Sequence, residues 1–233
     1  MKQNSSFIVL KNILLLLTIS LLFAACKKNK SEQEPPKETN YININSESSW
    51  IYTQVDNSSG TPETSEFTIT STPKDTSING RTYHIYDYSF GGSQYLSKMG
   101  SDYFRYDTLP GGLGSHIELL YLKDKTLPGT KWSQDFNIEV PDYPFGLVPL
   151  KVSYEITDIG NRVVGGKSYS DVIHVHTTIS TVTIPVQNFI NNIDSYYAPE
   201  VGLIENTTVM QIDFMTVKKN IDIKTTLKEA VLK

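Results

Sequence analysis

Between Tyr41 and Lys233, apolar and polar side chains alternate in short runs rich in Thr, Val, Ile and Tyr, broken by Gly, Pro, Asn and Asp. A period of two puts successive side chains on opposite faces of an extended chain, so this stretch is expected to fold as half-buried strands. The pattern predicts strands near 50–55, 66–71, 82–90, 102–106 and 116–122. A second series is predicted near 151–159, 168–178, 182–186, 195–205 and 209–217. No segment carries an amphipathic helix of three turns, and residues 227–233 read as a helical turn or a last strand. The fold class is therefore all-β and antiparallel, since parallel strands need long crossovers and no helix is available to make them.

The two series look like copies of one another. Glu66-Phe67-Thr68-Ile69-Thr70 followed by Gly80-Arg81-Thr82-Tyr83 parallels Ser153-Tyr154-Glu155-Ile156-Thr157 followed by Gly166-Lys167-Ser168-Tyr169. Trp50 and Trp132 each open a series, and Ser115-His116-Ile117-Glu118-Leu119-Leu120-Tyr121 answers Thr208-Val209-Met210-Gln211-Ile212-Asp213-Phe214. The expected organisation is one β domain over 41–233 made of pseudo-repeats at about 46–125 and 129–224. Neither copy covers its apolar face alone, so both share one core. A curved sheet closing partly into an open barrel and a β-sandwich both satisfy this.

Ahead of the domain, residues 13–25 form an apolar run preceded by Lys2 and Lys11 and followed by Cys26. Thirteen residues make a helix of about 20 Å, short of the ~30 Å bilayer core, which is the layout of a secretory signal over 1–25. Leu22-Phe23-Ala24-Ala25-Cys26 resembles the bacterial lipobox, with Phe23 standing where leucine is usual. That resemblance implies a lipid attached to Cys26. Cys26 is the single cysteine of 233 residues, whereas an exported chain stapled by disulfides would carry pairs. Residues 27–40 are charged, contain Pro35-Pro36 and offer no apolar side chain to bury, so 26–40 is expected to be a lipidated flexible tether. Lys27-Lys28 resembles neither the inner-membrane Asp signal nor a surface-export signal. The expected location is the outer membrane, lipid-anchored, facing the periplasm or the surface.

Without Lys2 and Lys11 the chain has 19 basic and 25 acidic residues, a formal charge of −6. Nucleic acid is excluded as an expected partner, because phosphates need clustered Lys and Arg. Gly165-Gly166-Lys167-Ser168 lacks the leading glycine of a phosphate-binding loop, since Asn161 stands there, and reads instead as a hairpin turn. Gly112-Leu113-Gly114 lacks the third glycine of a dinucleotide fingerprint, with Ile117 in its place. No Gly-x-Ser-x-Gly elbow and no nucleophilic cysteine occur in the domain, so an enzyme is not expected and no cofactor is implied.

His174 and His176 leave the same face of a predicted strand, as zinc ligands in some β-rich enzymes do, but a third ligand is needed. His84, His116 and Glu118 are candidates that spacing does not separate. The internal repeat sets Tyr88 opposite His174 and Phe90 opposite His176, which favours packing over metal binding. His84, Tyr86, Tyr88 and Phe90 fall on one face of a predicted strand and form the candidate ligand-binding stripe. Tyr103, Phe104, Tyr106, Tyr196 and Tyr197 supply further aromatic surface. Tyrosine suits either role, having an apolar ring and a polar hydroxyl.

Gly166-Lys167-Ser168-Tyr169 with Val172-Ile173-His174-Val175, then Ser195-Tyr196-Tyr197-Ala198-Pro199-Glu200-Val201-Gly202-Leu203-Ile204, resembles lipoproteins of unassigned function from Gram-negative bacteria. A lipobox with strand-rich repeats is loosely similar to open-barrel carriers of the lipoprotein-localisation type. The resulting expectation is a membrane-tethered extracytoplasmic lipoprotein acting as a non-catalytic binding or carrier module. Its partners would be the membrane, through the lipid, and an apolar small ligand or an envelope protein. The alternatives are a structural or assembly subunit of an envelope complex and a metal-dependent enzyme.

Overall fold

A computed structural model of the chain describes residues 39–140, 146–182, 189–214 and 216–233. The signal over 1–25, Cys26 and the tether as far as residue 38 lie outside the described residues, as does most of the strand expected at 182–186.

The domain is all-β. Twelve strands follow in order: β1 (Ser49–Asp56), β2 (Glu63–Ile78), β3 (Arg81–Tyr88), β4 (Ser93–Met99), β5 (Asp102–Leu109), β6 (Leu113–Lys123), β7 (Lys131–Glu139), β8 (Leu147–Val164), β9 (Lys167–Ser180), β10 (Phe189–Ala198), β11 (Gly202–Phe214) and β12 (Val217–Val231). One 3₁₀ turn, Pro110–Gly112, separates β5 from β6, and no α-helix occurs among the described residues.

Several expectations need correction. The one strand expected over 195–205 is two, because β10 stops at Ala198 and β11 begins at Gly202. Pro199 between them has no N–H to give a ladder and a fixed φ that suits a turn. Strands β4 and β7 were not expected. Of the two readings given for the C-terminal segment, the last strand is the one found, as the end of β12. The downstream match between copies puts β6 opposite β11, although these are the sixth strand of one series and the fifth of the other.

All strands belong to a single antiparallel sheet ordered β6-β5-β4-β3-β2-β1-β12-β11-β10-β9-β8-β7. Each strand pairs with its sequence neighbours except at β6 and β7, which are the two edges, and the first pairs with the last, from Ser49↔Val231 to Asp56↔Ile223. The sheet curls into a nearly closed barrel, so the sandwich alternative does not apply. Side-chain alternation explains the curl, as β8 shows: Val148, Leu150, Val152, Tyr154 and Ile156 are buried while the alternate residues Leu147, Pro149 and Lys151 are exposed. One face of every strand thus goes inward.

The two sheet edges, β6 and β7, meet at a seam made by side chains. Trp132 Nε1 donates to the Leu120 carbonyl at 2.8 Å. Gln134 Oε1 accepts the Leu120 N–H at 2.7 Å and its Nε2 donates to the Glu118 carbonyl at 3.2 Å. The amide of one glutamine therefore stands in for a strand that the ladder lacks.

The N-terminal segment stoppers one end of the barrel, where the odd-numbered strands begin. Tyr41 and Ile42 are buried there, Tyr41 Oη donates to the Asp171 carbonyl, and the Tyr103 hydroxyl accepts the Tyr41 N–H. Asn40, placed in the tether by its sequence, accepts the Glu200 N–H at 2.6 Å through its carbonyl. Gly202 makes room for this crossing: its φ is +87° and a Cβ there would stand 3.2 Å from the Tyr41 carbonyl oxygen.

Candidate functional site: the barrel lumen

The inward faces do not fill the barrel. They surround a cavity of about 410 Å³ to which every strand except β7 contributes. Near the stoppered end its wall is aromatic, with Trp50, Tyr52, Tyr86, Tyr121 and Tyr197. Trp50 Nε1 and Tyr52 Oη donate to the carbonyls of Val201 and Leu203, at 2.8 and 2.7 Å, and Tyr86 Oη donates to the Asn43 carbonyl at 2.8 Å. These bonds fix the rings as rigid wall, since a buried hydroxyl or indole N–H needs its acceptor. Burial pushes the phenols of Tyr52, Tyr86, Tyr121 and Tyr154 above their ordinary pKa, because a phenolate loses its hydration there. These four phenols are therefore uncharged across ordinary pH.

Polar groups cross this wall in one belt. Gln54, Thr225, Asn206 and Ser195 are successive cross-strand neighbours on β1, β12, β11 and β10, and all four line the cavity. Asn206 Nδ2 donates to Ser195 Oγ at 3.0 Å. On β5, Arg105 and Asp107 also line it, with Arg105 Nε 3.5 Å from Asp107 Oδ2. The cavity thus combines flat apolar surface with a few placed polar groups, the make-up of small-molecule sites.

The expected ligand stripe divides. Tyr86 and Tyr88 line the cavity, but His84 and Phe90 do not. His84 is held by Ser71 Oγ at Nε2 (2.8 Å) and by Asp75 Oδ1 at Nδ1 (2.7 Å). Phe90 lies beyond the end of β3, where Gly91 N–H bonds the Tyr88 carbonyl in a tight turn. It is 72% exposed and stacks on Tyr88 with ring centroids 4.9 Å apart. The expectation of one shared face fails at Phe90 because the strand ends two residues before it, and at His84 because its ring is bonded to Ser71 and Asp75 of β2 instead.

Of the other aromatics, Tyr197 lines the cavity and Tyr103 is fully buried at the stoppered end. Phe104 lies under the Arg81 guanidinium, 3.5 Å from its ring centroid. Trp50, Tyr52, Tyr121, Tyr154 and Arg105 were missed as site residues. Their parity within β1, β5, β6 and β8 was readable, but nothing in the sequence says which face of a strand meets the lumen.

His174 and His176 share a face, as expected, and the group between them is Asp194 of β10. His174 Nε2 and His176 Nδ1 contact Asp194 Oδ1 at 2.8 and 3.1 Å. The other His174 nitrogen, Nδ1, is 2.6 Å from Thr157 Oγ1, and its ring stacks on Tyr196 at 4.1 Å. Burial works against the Asp194 charge, but the hydrogen bonds from both histidines prevail and hold its carboxyl below the usual range. None of the suggested third ligands joins them. His84 is engaged as described, His116 stacks on Tyr106, and Glu118 is bound by Arg81 and Tyr83. Among the described residues no group of three His, Cys, Asp or Glu is arranged to hold a metal ion.

No family model matches the chain, and no curated protein matches it in sequence. Two solved structures are similar in shape. One is a provisionally assigned lipoprotein from Parabacteroides distasonis, 11% identical, with a TM-score of 0.49, covering 83% of this chain and 99% of that one. The other is a provisionally assigned exported protein with a YmcC-like fold from Bacteroides fragilis, 9% identical, with a TM-score of 0.48, covering 83% of this chain and 100% of that one.

Proposed function

We propose that this chain is an envelope lipoprotein, acylated at Cys26 and anchored in the outer membrane, whose barrel binds a small amphipathic molecule without transforming it. The observation that carries the reading is the lumen, in which aromatic wall and a sparse polar belt enclose about 410 Å³. A domain of this size with no ligand to hold would gain stability by filling such a space with side chains, since voids forfeit packing contacts. The rings that border it are tied to backbone carbonyls, which keeps the space open and pre-formed. A pre-formed site avoids the ordering cost of binding.

The test uses N-phenyl-1-naphthylamine, a neutral dye that brightens in apolar surroundings, with the full chain carrying Cys26→Ser so that no acyl group competes. Saturable brightening is expected, and Thr225→Phe, which projects a ring into the lumen, should abolish it while leaving the far-ultraviolet circular dichroism unchanged. Absence of saturable binding by a folded wild-type domain would refute the reading. Mass spectrometry of the mature N-terminus tests the anchor separately: an unmodified Cys26 would refute that part.

A further inference from the structure

Arg105 is out of place for a wall residue. Its cross-strand neighbours are Leu96 on β4 and Leu119 on β6, and all three line the cavity. A guanidinium between two leucines has lost much of its hydration and stays charged, so it needs acceptors. Asp107 is the one carboxylate that pairs with it among the described residues, at 3.5 Å, and Nε is buried without a hydrogen-bond partner. The side chain is still 31% accessible, which is surface turned to the lumen. Tyr88, Tyr154 and Tyr197 lie within electrostatic reach of it, as does Tyr121, whose ring centroid is 5.9 Å away. Among the described residues the hydroxyls of Tyr88, Tyr121 and Tyr154 donate to no protein group. The lumen therefore gathers a forked cation and three uncommitted phenol donors, faced by one carboxylate.

We infer that the molecule bound in the lumen is a single-chain amphiphile with a carboxylate head, received by Arg105 and the surrounding phenols. This rests on the proposed lumen binding and specifies its ligand. Donors in excess of acceptors select an anion, and a planar fork fits a carboxylate through two parallel bonds. The apolar body would lie against Trp50, Phe67, Ile69 and Ile193. At ~30 Å³ per water-sized group, about 410 Å³ accommodates roughly fourteen such groups, so one chain of about ten to fourteen carbons fits and the two long chains of a phospholipid do not.

Isothermal titration of the full Cys26→Ser chain at pH 8 with dodecanoate and with dodecan-1-ol isolates the head group. Dodecanoate is expected to bind at least tenfold more tightly. In Arg105→Gln/Asp107→Asn, which removes both charges so that neither is left alone, that preference should fall to within about twofold. Tyr121→Phe/Tyr154→Phe, which changes no charge and little volume, should narrow it as well and serves if the first variant does not fold. Equal affinities in the wild type, or a preference that survives both variants, would overturn the carboxylate inference while leaving lumen binding intact. If neither compound nor the naphthylamine dye binds, the lumen reading itself fails.

Discussion

Replacing Gln134 with alanine should loosen the barrel along one line and nowhere else. Strands β6 and β7 form no ladder, and the Gln134 amide holds the Leu120 N–H at 2.7 Å and the Glu118 carbonyl at 3.2 Å. Each such bond contributes about 0.5–1.5 kcal/mol net, so losing both costs about 1–3 kcal/mol. Because Leu120 sits on an edge strand, the loss should appear as local opening rather than global unfolding. Amide exchange at Leu120 is then expected to accelerate about 5- to 150-fold at an unchanged rate for the β1–β12 amides. Trp132→Phe keeps the ring that stacks on Tyr154 at 5.2 Å but removes the bond to the Leu120 carbonyl. Since Trp132 and Gln134 share Leu120, the double variant should be non-additive. Hydrogen exchange read residue by residue by NMR gives the answer. Unaltered Leu120 exchange in Gln134→Ala would refute the claim that side chains close this seam.

Gly165→Ala should destabilise the domain by about 1–2 kcal/mol from backbone strain alone, since its φ is +58°, and by more because a Cβ would meet the Leu227 carbonyl oxygen at 2.8 Å. A melting temperature equal to wild type would contradict this. Asp194 has a folded-state pKa below its ordinary value of 3.8, so its contribution to stability is present above about pH 4 and is lost as the pH falls through the folded value. Urea unfolding should show Asp194→Asn weaker than wild type at pH 6, with the gap shrinking toward pH 3, and a gap independent of pH would exclude the effect. Phe90→Ser, on an exposed ring outside the cavity, should leave dye binding within about twofold, whereas Tyr88→Ala should weaken it several-fold. Equal effects from the two would mean that the dye does not sit in the lumen.

How far the sequence could be read varies by element. The alternation in Leu147-Val148-Pro149-Leu150-Lys151-Val152 identifies a strand and its buried face without help, because the period of two is a local property of the chain. The break at Pro199 and the strand at 131–139, where Trp132, Phe136 and Ile138 alternate with polar residues, were also readable, although the expectation passed over both. The site was less accessible. His84, Tyr86, Tyr88 and Phe90 share a parity, yet only the two tyrosines reach the cavity: β3 ends before Phe90, and His84, inside β3, is bonded to Ser71 and Asp75 of β2, neither of which a local pattern encodes. Asp194 could not be assigned to His174 and His176, since nothing local connects residues about twenty positions apart.

By itself, the sequence determined an antiparallel all-β domain, because side-chain period and the scarcity of helix signals act over a few residues at a time. It also places an apolar run over residues 13–25 directly before Cys26. Whether the strands would stack as two layers or curl into one was left to tertiary structure, and the pairing of β1 with β12 decided it. That pairing joins residues more than 160 positions apart and turns one face of each strand toward a common axis. Only then do Arg105, Tyr121 and Tyr154, on three different strands, become neighbours around one space, which no local pattern encodes.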